Sequence, residues 1–385
     1  MEPTDLRIAL FSGNYNYVRD GANQALNRLV GYLLRRGAKV RIYSPMVAEP
    51  AFPATGEMVN VPSFSIPTRA EYRVPSRFEG EPREDLERFA PNVIHVASPD
   101  IVAHRAVTWA RGHGVPVVAS VHTRFETYLQ YYRLHWFEPV IRAMLRRFYR
   151  RCDAIVAPAE STAAILRAQR MGKDISLWTR GVDREQFNPG RRDPEWRRAH
   201  GVADDDLLVV FLGRIVMEKG LEAFAAAIAE LGARGVAHKV VVIGDGPARP
   251  WFEAAIPGAI FTGQLTGADL ATALASGDVL LNPSVTEAFG NVTLEAMACG
   301  LPVVAASASG TTNLVRDGKT GVLVPPNGAE GYADALEAYA RDPKLRKRHG
   351  AAGLAYAETM DWDRINDAVL QVYLRVAEKR QAATS

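Results

Sequence analysis

Leu207-Leu-Val-Val-Phe-Leu-Gly213-Arg214-Ile-Val-Met-Glu218-Lys219-Gly220 is the stretch on which the fold turns. Six apolar residues without polar alternation read as a strand buried on both faces. The glycine ends it, and the charged residues that follow open a helix. The same grammar recurs on either side. Short apolar runs at residues 7–11, 39–43, 93–96, 115–121, 154–157, 240–243, 279–281 and 302–305 are separated by longer helical patterns. This rhythm predicts an α/β fold of doubly wound parallel sheets covered by helices on both faces. Residues 7–11 run into Gly13 as residues 207–212 run into Gly213, so two halves start alike without a residue-level repeat.

A chain of 385 residues exceeds the size at which one core keeps growing, so two domains are expected. The run Gly181-Val-Asp-Arg-Glu-Gln-Phe-Asn-Pro-Gly-Arg-Arg-Asp193 is rich in turn formers, which sets the domains at 1–185 and 186–360. Hydrophobic residues at 48% and charged residues at 23% exclude disordered and fibrous classes. A net charge of +3 with a pI of about 8.8 implies mild attraction to anions and no nucleic-acid partner. The two cysteines, Cys152 and Cys299, cannot build a disulfide framework and read as buried packing residues in a reducing compartment. Residues 5–11 lack a cleavage site and read as a core strand rather than a signal peptide. No apolar run approaches the roughly 20 residues that span a bilayer. The expected location is cytoplasmic, with contact to a membrane face at most.

Asn282-Pro-Ser-Val-Thr-Glu287-Ala-Phe289-Gly290-Asn291-Val-Thr-Leu-Glu295-Ala-Met-Ala298 is the densest motif. A strand ends, a loop carries Glu287, and a helix starting near Gly290 or Asn291 carries Glu295 in its first two turns. Amides at a helix start can receive phosphate or a sugar hydroxyl, and Glu295 can accept from vicinal hydroxyls. Taken alone, the two carboxylates are equally solvated groups favoured by the helix dipole. Arg214 and Lys219 supply a forked guanidinium and an ammonium suited to a diphosphate; alone they too would be surface charges. Asp204-Asp205-Asp206 has the form of a metal motif but sits at the amino end of a strand, where a solvated turn is the better reading, so no metal is expected.

Together with Ser120-Val-His122-Thr-Arg-Phe-Glu-Thr-Tyr, Arg180-Gly-Val-Asp183, Gly244-Asp-Gly246-Pro and Cys299-Gly300-Leu-Pro-Val-Val, these segments resemble the retaining GT-B glycosyltransferases of family 4. The resemblance implies two Rossmann-like domains facing a cleft, acceptor-side first and nucleotide-sugar-binding second, with 361–385 a helix crossing back to the first. It implies that Arg214 and Lys219 bind the donor diphosphate, that Glu295 holds the ribose and that Glu287 bonds the transferred sugar beside the Phe289, Gly290 and Asn291 backbone. His122 matches a position touching the sugar near the reacting carbon, although a histidine at a strand end also serves as a structural hydrogen-bonder. Residues 263–265, ending at Leu265, lie where relatives hold the base through backbone groups, and Gly244 and Gly246 shape a turn near the nucleotide.

The run Gly13-Asn-Tyr-Asn-Tyr-Val-Arg-Asp20-Gly21-Ala22-Asn23 resembles the family's phosphate-facing turn, with Asp20-Gly21 replacing a double glycine. Gly21 is then a donor contact and Asp20 a weaker candidate for an acceptor base. Gly310-Thr311-Thr312-Asn313 departs from the usual two glycines and a carboxylate, which puts contacts from that loop in question. Residues 128–151 mix Arg133, Arg142, Arg146, Arg147, Arg150 and Arg151 with apolar positions, a pattern of membrane-surface helices and equally of a packed helix with a solvated arginine face. His122-Thr-Arg-Phe-Glu-Thr-Tyr-Leu and Leu177-Trp-Thr-Arg180-Gly-Val-Asp look like the branch containing sulfoquinovosyl- and mannosyl-glycolipid synthases.

The expected reaction moves a hexose-type sugar from a nucleotide-diphosphate sugar, UDP favoured over GDP, to a membrane lipid or glycolipid. The donor is a co-substrate and no cofactor is expected. A soluble acceptor, an epimerase of the same fold and a non-catalytic binder remain open. A dinucleotide oxidoreductase is disfavoured, because no Gly-x-Gly-x-x-Gly follows the first strand.

Overall fold

The computed structural model describes all residues except 19, 67, 68, 77, 123–137, 204, 288, 309, 327 and 385. It divides into two units, Met1–Thr179 with Trp362–Ser385, and Arg180–Asp361. In chain order the strands are β1 (Arg7–Phe11), β2 (Lys39–Ser44), β3 (Glu57–Asn60), β4 (Ser63–Ile66), β5 (Arg69–Pro75), β6 (Val93–Val96), β7 (Val117–Ser120), β8 (Ala154–Ala157), β9 (Ile175–Leu177), β10 (Leu207–Leu212), β11 (His238–Ile243), β12 (Ile260–Gly263), β13 (Val279–Asn282), β14 (Val303–Ala306) and β15 (Gly321–Val324). The first unit's sheet has the order β3-β2-β1-β6-β7-β8-β9 and the second unit's β12-β11-β10-β13-β14-β15, both wholly parallel. β4 and β5 form a separate antiparallel hairpin.

Both sheets are covered on two faces, and strand periodicity shows how. Ile8 and Leu10 of β1 enter a core with Leu26, Leu29 and Val30 of the helix Gly21–Arg35 and with Val369, Leu370 and Tyr373 of the helix Trp362–Thr384. Ala9 and Phe11 point the other way, to Val102, Ala106 and Val107 of the helix Ile101–Gly112. Successive side chains leave a strand on opposite faces, so a run apolar at every position is needed when both faces carry helices. In the second unit Leu207, Val209 and Phe211 pack with Phe224 of the helix Leu221–Ala233 and with Tyr332, Leu336 and Tyr339 of the helix Ala329–Arg341. Each such buried side chain contributes about 1.5–3 kcal/mol.

Cys299 is buried; Cys152 packs against the core of the first unit but is only half-buried, which corrects the expectation that both are buried. Burial still pushes both thiols up to about 12, so neither is a nucleophile at neutral pH. Among the described residues no helix is long and apolar enough to cross a membrane.

Strand order reverses between β1 and β6 in one sheet and between β10 and β13 in the other. Loops leaving the carboxyl ends there run to opposite faces, and the crevice between them is where open α/β sheets bind ligands.

Candidate active site

In the second unit, the crevice is built by glycines that let loops touch. A Cβ on Gly244 would lie 2.0 Å from the Gly213 carbonyl, and one on Gly246 would lie 2.4 Å from that of Ile215. The interlocked loops are closed by Gly213 N–H to the Ile243 carbonyl at 3.0 Å and Ile215 N–H to that of Asp245 at 2.9 Å. They fix the backbone of Arg214, whose side chain is exposed. Gly244 N–H donates to the Gly263 carbonyl at 2.9 Å, bringing the β12 loop and half-buried Leu265 alongside.

Lys219 ends a single 3-10 turn, Met217–Lys219, stopped by Gly220 at φ +76°. A Cβ on Gly220 would lie 2.8 Å from the Pro283 carbonyl, so the β10 loop can lie against the β13 loop only through a glycine. Across that approach Lys219 Nζ donates to Glu287 Oε1 at 2.6 Å, and Thr286 Oγ1 donates to the Glu218 carbonyl at 3.1 Å. The ammonium is 30% and the carboxylate 15% exposed, a charge pair partly withdrawn from water. Two residues 68 apart in sequence are thereby held at one point.

Glu287 is supported from behind by Gly310, where a Cβ would lie 2.3 Å from the Glu287 carbonyl and 2.5 Å from its Cβ. Gly310 has φ −76°, so space rather than torsion requires the glycine. Sequence reasoning left this loop without a role; the local signal was a lone glycine before Thr311, whose buried hydroxyl donates to the Ala306 carbonyl. Ala288 lies outside the described residues. Phe289 is buried, and Gly290 at φ +97° starts the helix Asn291–Ala298, with Asn291 and Glu295 half-buried on its first two turns. Asn282 Nδ2 donates to Thr293 Oγ1 at 3.2 Å and ties that helix to the end of β13. The acidic run before β10 forms a turn, with Asp206 Oδ2 accepting from Ala203 N–H at 2.9 Å; Asp204 lies outside the described residues.

The first unit carries Gly21 and His122. Gly21 begins the helix Gly21–Arg35, and Asp20 caps it, its Oδ1 accepting from Asn23 N–H at 2.8 Å. A carboxylate engaged with its own helix end has a structural role, which weakens Asp20 as an acceptor base. Gly13 N–H donates to Ser98 Oγ at 3.3 Å, and Ser98 Oγ donates to Asp100 Oδ2 at 2.6 Å. Asp100 also caps the helix Ile101–Gly112 through Ala103 N–H at 2.8 Å, and burial pushes its carboxyl above the usual range. Sequence reasoning missed Ser98 and Asp100, although Ser-Pro-Asp before a helix is a capping signal. Half-buried His122 follows β7, its Nε2 2.8 Å from Ser120 Oγ.

Of the basic segment 128–151, residues 128–137, with Arg133, lie outside the described residues. In the helix Glu138–Tyr149, Leu145, Phe148 and Tyr149 face the core while Val140 and Met144 are exposed. Arg146, Arg147 and Arg150 line a surface depression with Ala143. Arg142 pairs with Glu138 and Arg151 donates to Thr108 Oγ1 at 2.7 Å, so these two are structural.

Comparison with known proteins bears on the chemistry. The family model described as Glycosyltransferase Family 4 matches residues 19–186, and that described as Glycosyl transferases group 1 matches residues 206–342. The chain is 33% identical over 368 residues to the sulfoquinovosyl transferase SQD2 of Arabidopsis thaliana, covering 92% of this chain and 71% of that one. The chain belongs to the family 4 glycosyltransferases. This glycosyltransferase is also 31% identical over 379 residues to a GDP-mannose-dependent alpha-mannosyltransferase of Mycolicibacterium smegmatis, covering 97% and 99%. Among solved structures, sucrose-phosphate synthase from Thermosynechococcus elongatus matches its fold with a TM-score of 0.77 at 19% identity, covering 98% of this chain and 99% of that one. Its two Rossmann-like units are those of the GT-B fold.

Proposed function

We propose that this glycosyltransferase moves a hexose-type sugar from a nucleotide-diphosphate sugar to a hydroxyl of a membrane lipid or glycolipid, with retention of configuration. The observation that carries the reading is the Lys219–Glu287 contact at the β10/β13 reversal. An ammonium and a carboxylate at one point suit a ligand with a diphosphate at one end and hydroxyls at the other. The diphosphate draws Lys219 and Arg214, and Glu287 accepts from the sugar hydroxyls. The Asn291–Ala298 amides face the developing charge, and Glu295 takes the ribose. Leu265 and Gly21 contribute backbone contacts, and His122 meets the sugar.

The bond between the anomeric carbon and the phosphate oxygen breaks first in the transition state. The acceptor oxygen then bonds to that carbon on the leaving group's face, and its proton passes to a phosphate oxygen. Arg214 and Lys219 supply the positive charge that leaving diphosphate requires, so the reaction needs no metal.

UDP is the proposed nucleotide. A GDP-sugar is the second reading, favoured by the mannosyltransferase similarity over nearly the whole of both chains. Exposed Val140 and Met144 beside Arg146, Arg147 and Arg150 support a lipid acceptor met at an anionic membrane face, the protein being peripheral on its cytoplasmic side. The test is nucleotide release from UDP-, GDP- and ADP-sugars, with and without membrane lipid extract, products followed by mass. Lipid-dependent release with a matching glycolipid supports the reading. Release without lipid redirects it to a soluble acceptor or an epimerase, and no release rejects it.

A further inference from the structure

His122 is joined to a line of buried polar groups that begins on the helix Trp362–Thr384. The Tyr373 hydroxyl lies 2.6 Å from His95 Nδ1, His95 Nε2 lies 2.8 Å from Ser120 Oγ, and that oxygen lies 2.8 Å from His122 Nε2. Tyr373 and His95 are fully buried and Ser120 is 1% exposed. β6 and β7 pair side by side, which brings His95 and Ser120 together. Trp178 meets both imidazoles edge to face, at 6.4 Å from His95 and 5.4 Å from His122, and its Nε1–H donates to Asn366 Oδ1 at 3.2 Å. Tyr373 and Asn366 both belong to the helix Trp362–Thr384, so one helix holds both supports of the His122 ring.

The protons along this line have one good arrangement. Among the described residues the Tyr373 hydroxyl has a single hydrogen-bond partner, His95 Nδ1. A buried phenol whose proton found no acceptor would bear the full desolvation cost of a donor, so Tyr373 donates. Burial holds the His95 imidazole neutral, pushed down to about 3, so it carries one proton. With Nδ1 accepting, that proton is on Nε2 and goes to Ser120 Oγ. The serine hydroxyl then donates to His122 Nε2.

We infer that Tyr373, His95 and Ser120 are positioning residues, forming a directed hydrogen-bond chain that fixes neutral His122 with its proton on Nδ1. The inference deepens the proposed function and rests on its reading of His122 as a sugar contact. With Nε2 accepting from Ser120, the one proton of the neutral imidazole is on Nδ1, the nitrogen from which the proposed sugar contact would be donated. A neutral donor suits a sugar that gains positive character, beside which an imidazolium would be repelled. The helix Trp362–Thr384 therefore does more than brace the first unit: its Tyr373 decides which nitrogen of His122 carries the proton.

The experiment is a long-range proton–nitrogen correlation spectrum of the full-length chain labelled at histidine, with His122 assigned by its loss in His122→Gln. The expected wild-type pattern is a protonated Nδ1 and an unprotonated Nε2. Tyr373→Phe and Ser120→Ala should each shift both His122 nitrogens toward a mixture of tautomers. Each should also lower kcat about tenfold, the cost of one mispositioned hydrogen bond, with donor KM changed less than twofold. Ser120→Thr, which keeps the hydroxyl, should restore the pattern. A wild-type His122 protonated on Nε2 overturns the inference, as do unchanged His122 shifts in folded Tyr373→Phe and Ser120→Ala. Undiminished transfer by His122→Ala would sink the sugar contact instead, and the spectrum would still decide the tautomer.

Discussion

Lys219 and Glu287 show how one contact can serve both ends of a substrate. At 2.6 Å and partly shielded, the pair keeps both side chains extended toward one point without the large desolvation cost of a fully buried pair. Lys219→Ala removes the charge that meets the leaving group and should lower kcat/KM by about 3 kcal/mol, roughly a hundredfold. Glu287→Gln keeps the shape and loses the charge; transfer should fall while binding of the free nucleotide diphosphate changes little, as calorimetry would read. Wild-type turnover in Lys219→Ala would reject the diphosphate role. His95 allows a prediction on stability. Its imidazole is held at about 3 in the fold against 6.5 in the open chain. Between those values the unfolded chain binds a proton that the folded one refuses, so stability falls as pH drops through the window. One such group contributes a slope of up to ~1.4 kcal/mol per pH unit. Urea unfolding at pH 7 and pH 5 should show a smaller pH-dependent loss in His95→Gln than in the wild type, and equal losses would exclude the assignment.

Elements differ in how far local pattern reveals them, and the two sheets show why. The nine strands legible as apolar runs are β1, β2, β6, β7, β8, β10, β11, β13 and β14, every interior strand of both sheets. Those that escaped are the edges β3, β9, β12 and β15 and the separate hairpin of β4 and β5. An edge strand such as Glu57-Met-Val-Asn60 is half-exposed and need not be apolar at each position, so it leaves no run to read. The site was legible in the same partial way. Lys219 and Glu287 could be placed on loops after strands, but their meeting depends on β10 lying beside β13, which no local pattern encodes. Gly220 and Gly310 were hidden for the same reason, since each is required by a backbone from another loop. Gly220→Ala would force a Cβ to 2.8 Å from the Pro283 carbonyl at a φ of +76°. It should separate the two loops and lower turnover at least tenfold, with circular dichroism unchanged. At the helix Glu138–Tyr149, changing Arg146, Arg147 and Arg150 to Glu should release the protein from anionic vesicles, each charge near the surface being worth roughly 1 kcal/mol, while sparing soluble donor binding. Unchanged co-sedimentation would remove the membrane surface from the proposal.

At the scale of the molecule, the chain leaves the first unit at Thr179 and returns to it at Trp362. The second unit is therefore an uninterrupted segment with its own core, and the first depends on residues from both ends of the sequence. The returning helix buries Val369, Leu370, Val372, Tyr373, Val376 and Ala377 against the first sheet. Besides the buried contacts of Asn366 and Tyr373, its polar ties include Tyr32 Oη to Asp367 at 2.7 Å and exposed ion pairs such as Arg35–Asp363 at 2.6 Å. Exposed pairs contribute under about 1 kcal/mol, whereas six buried apolar side chains contribute on the order of 10 kcal/mol, as much as a whole domain's stability. Ending the chain at residue 361 should then unfold the first unit and leave the second folded, because no residue of the second core is lost. Calorimetry of the truncated chain should show one transition in place of two, with nucleotide diphosphate raising its midpoint, since Arg214, Lys219, Glu287 and Glu295 all remain. Two transitions would mean that the helix is dispensable to the first core. A single transition indifferent to nucleotide would mean that donor binding needs the first unit, and would move Gly21 and His122 from accessory contacts to necessary ones.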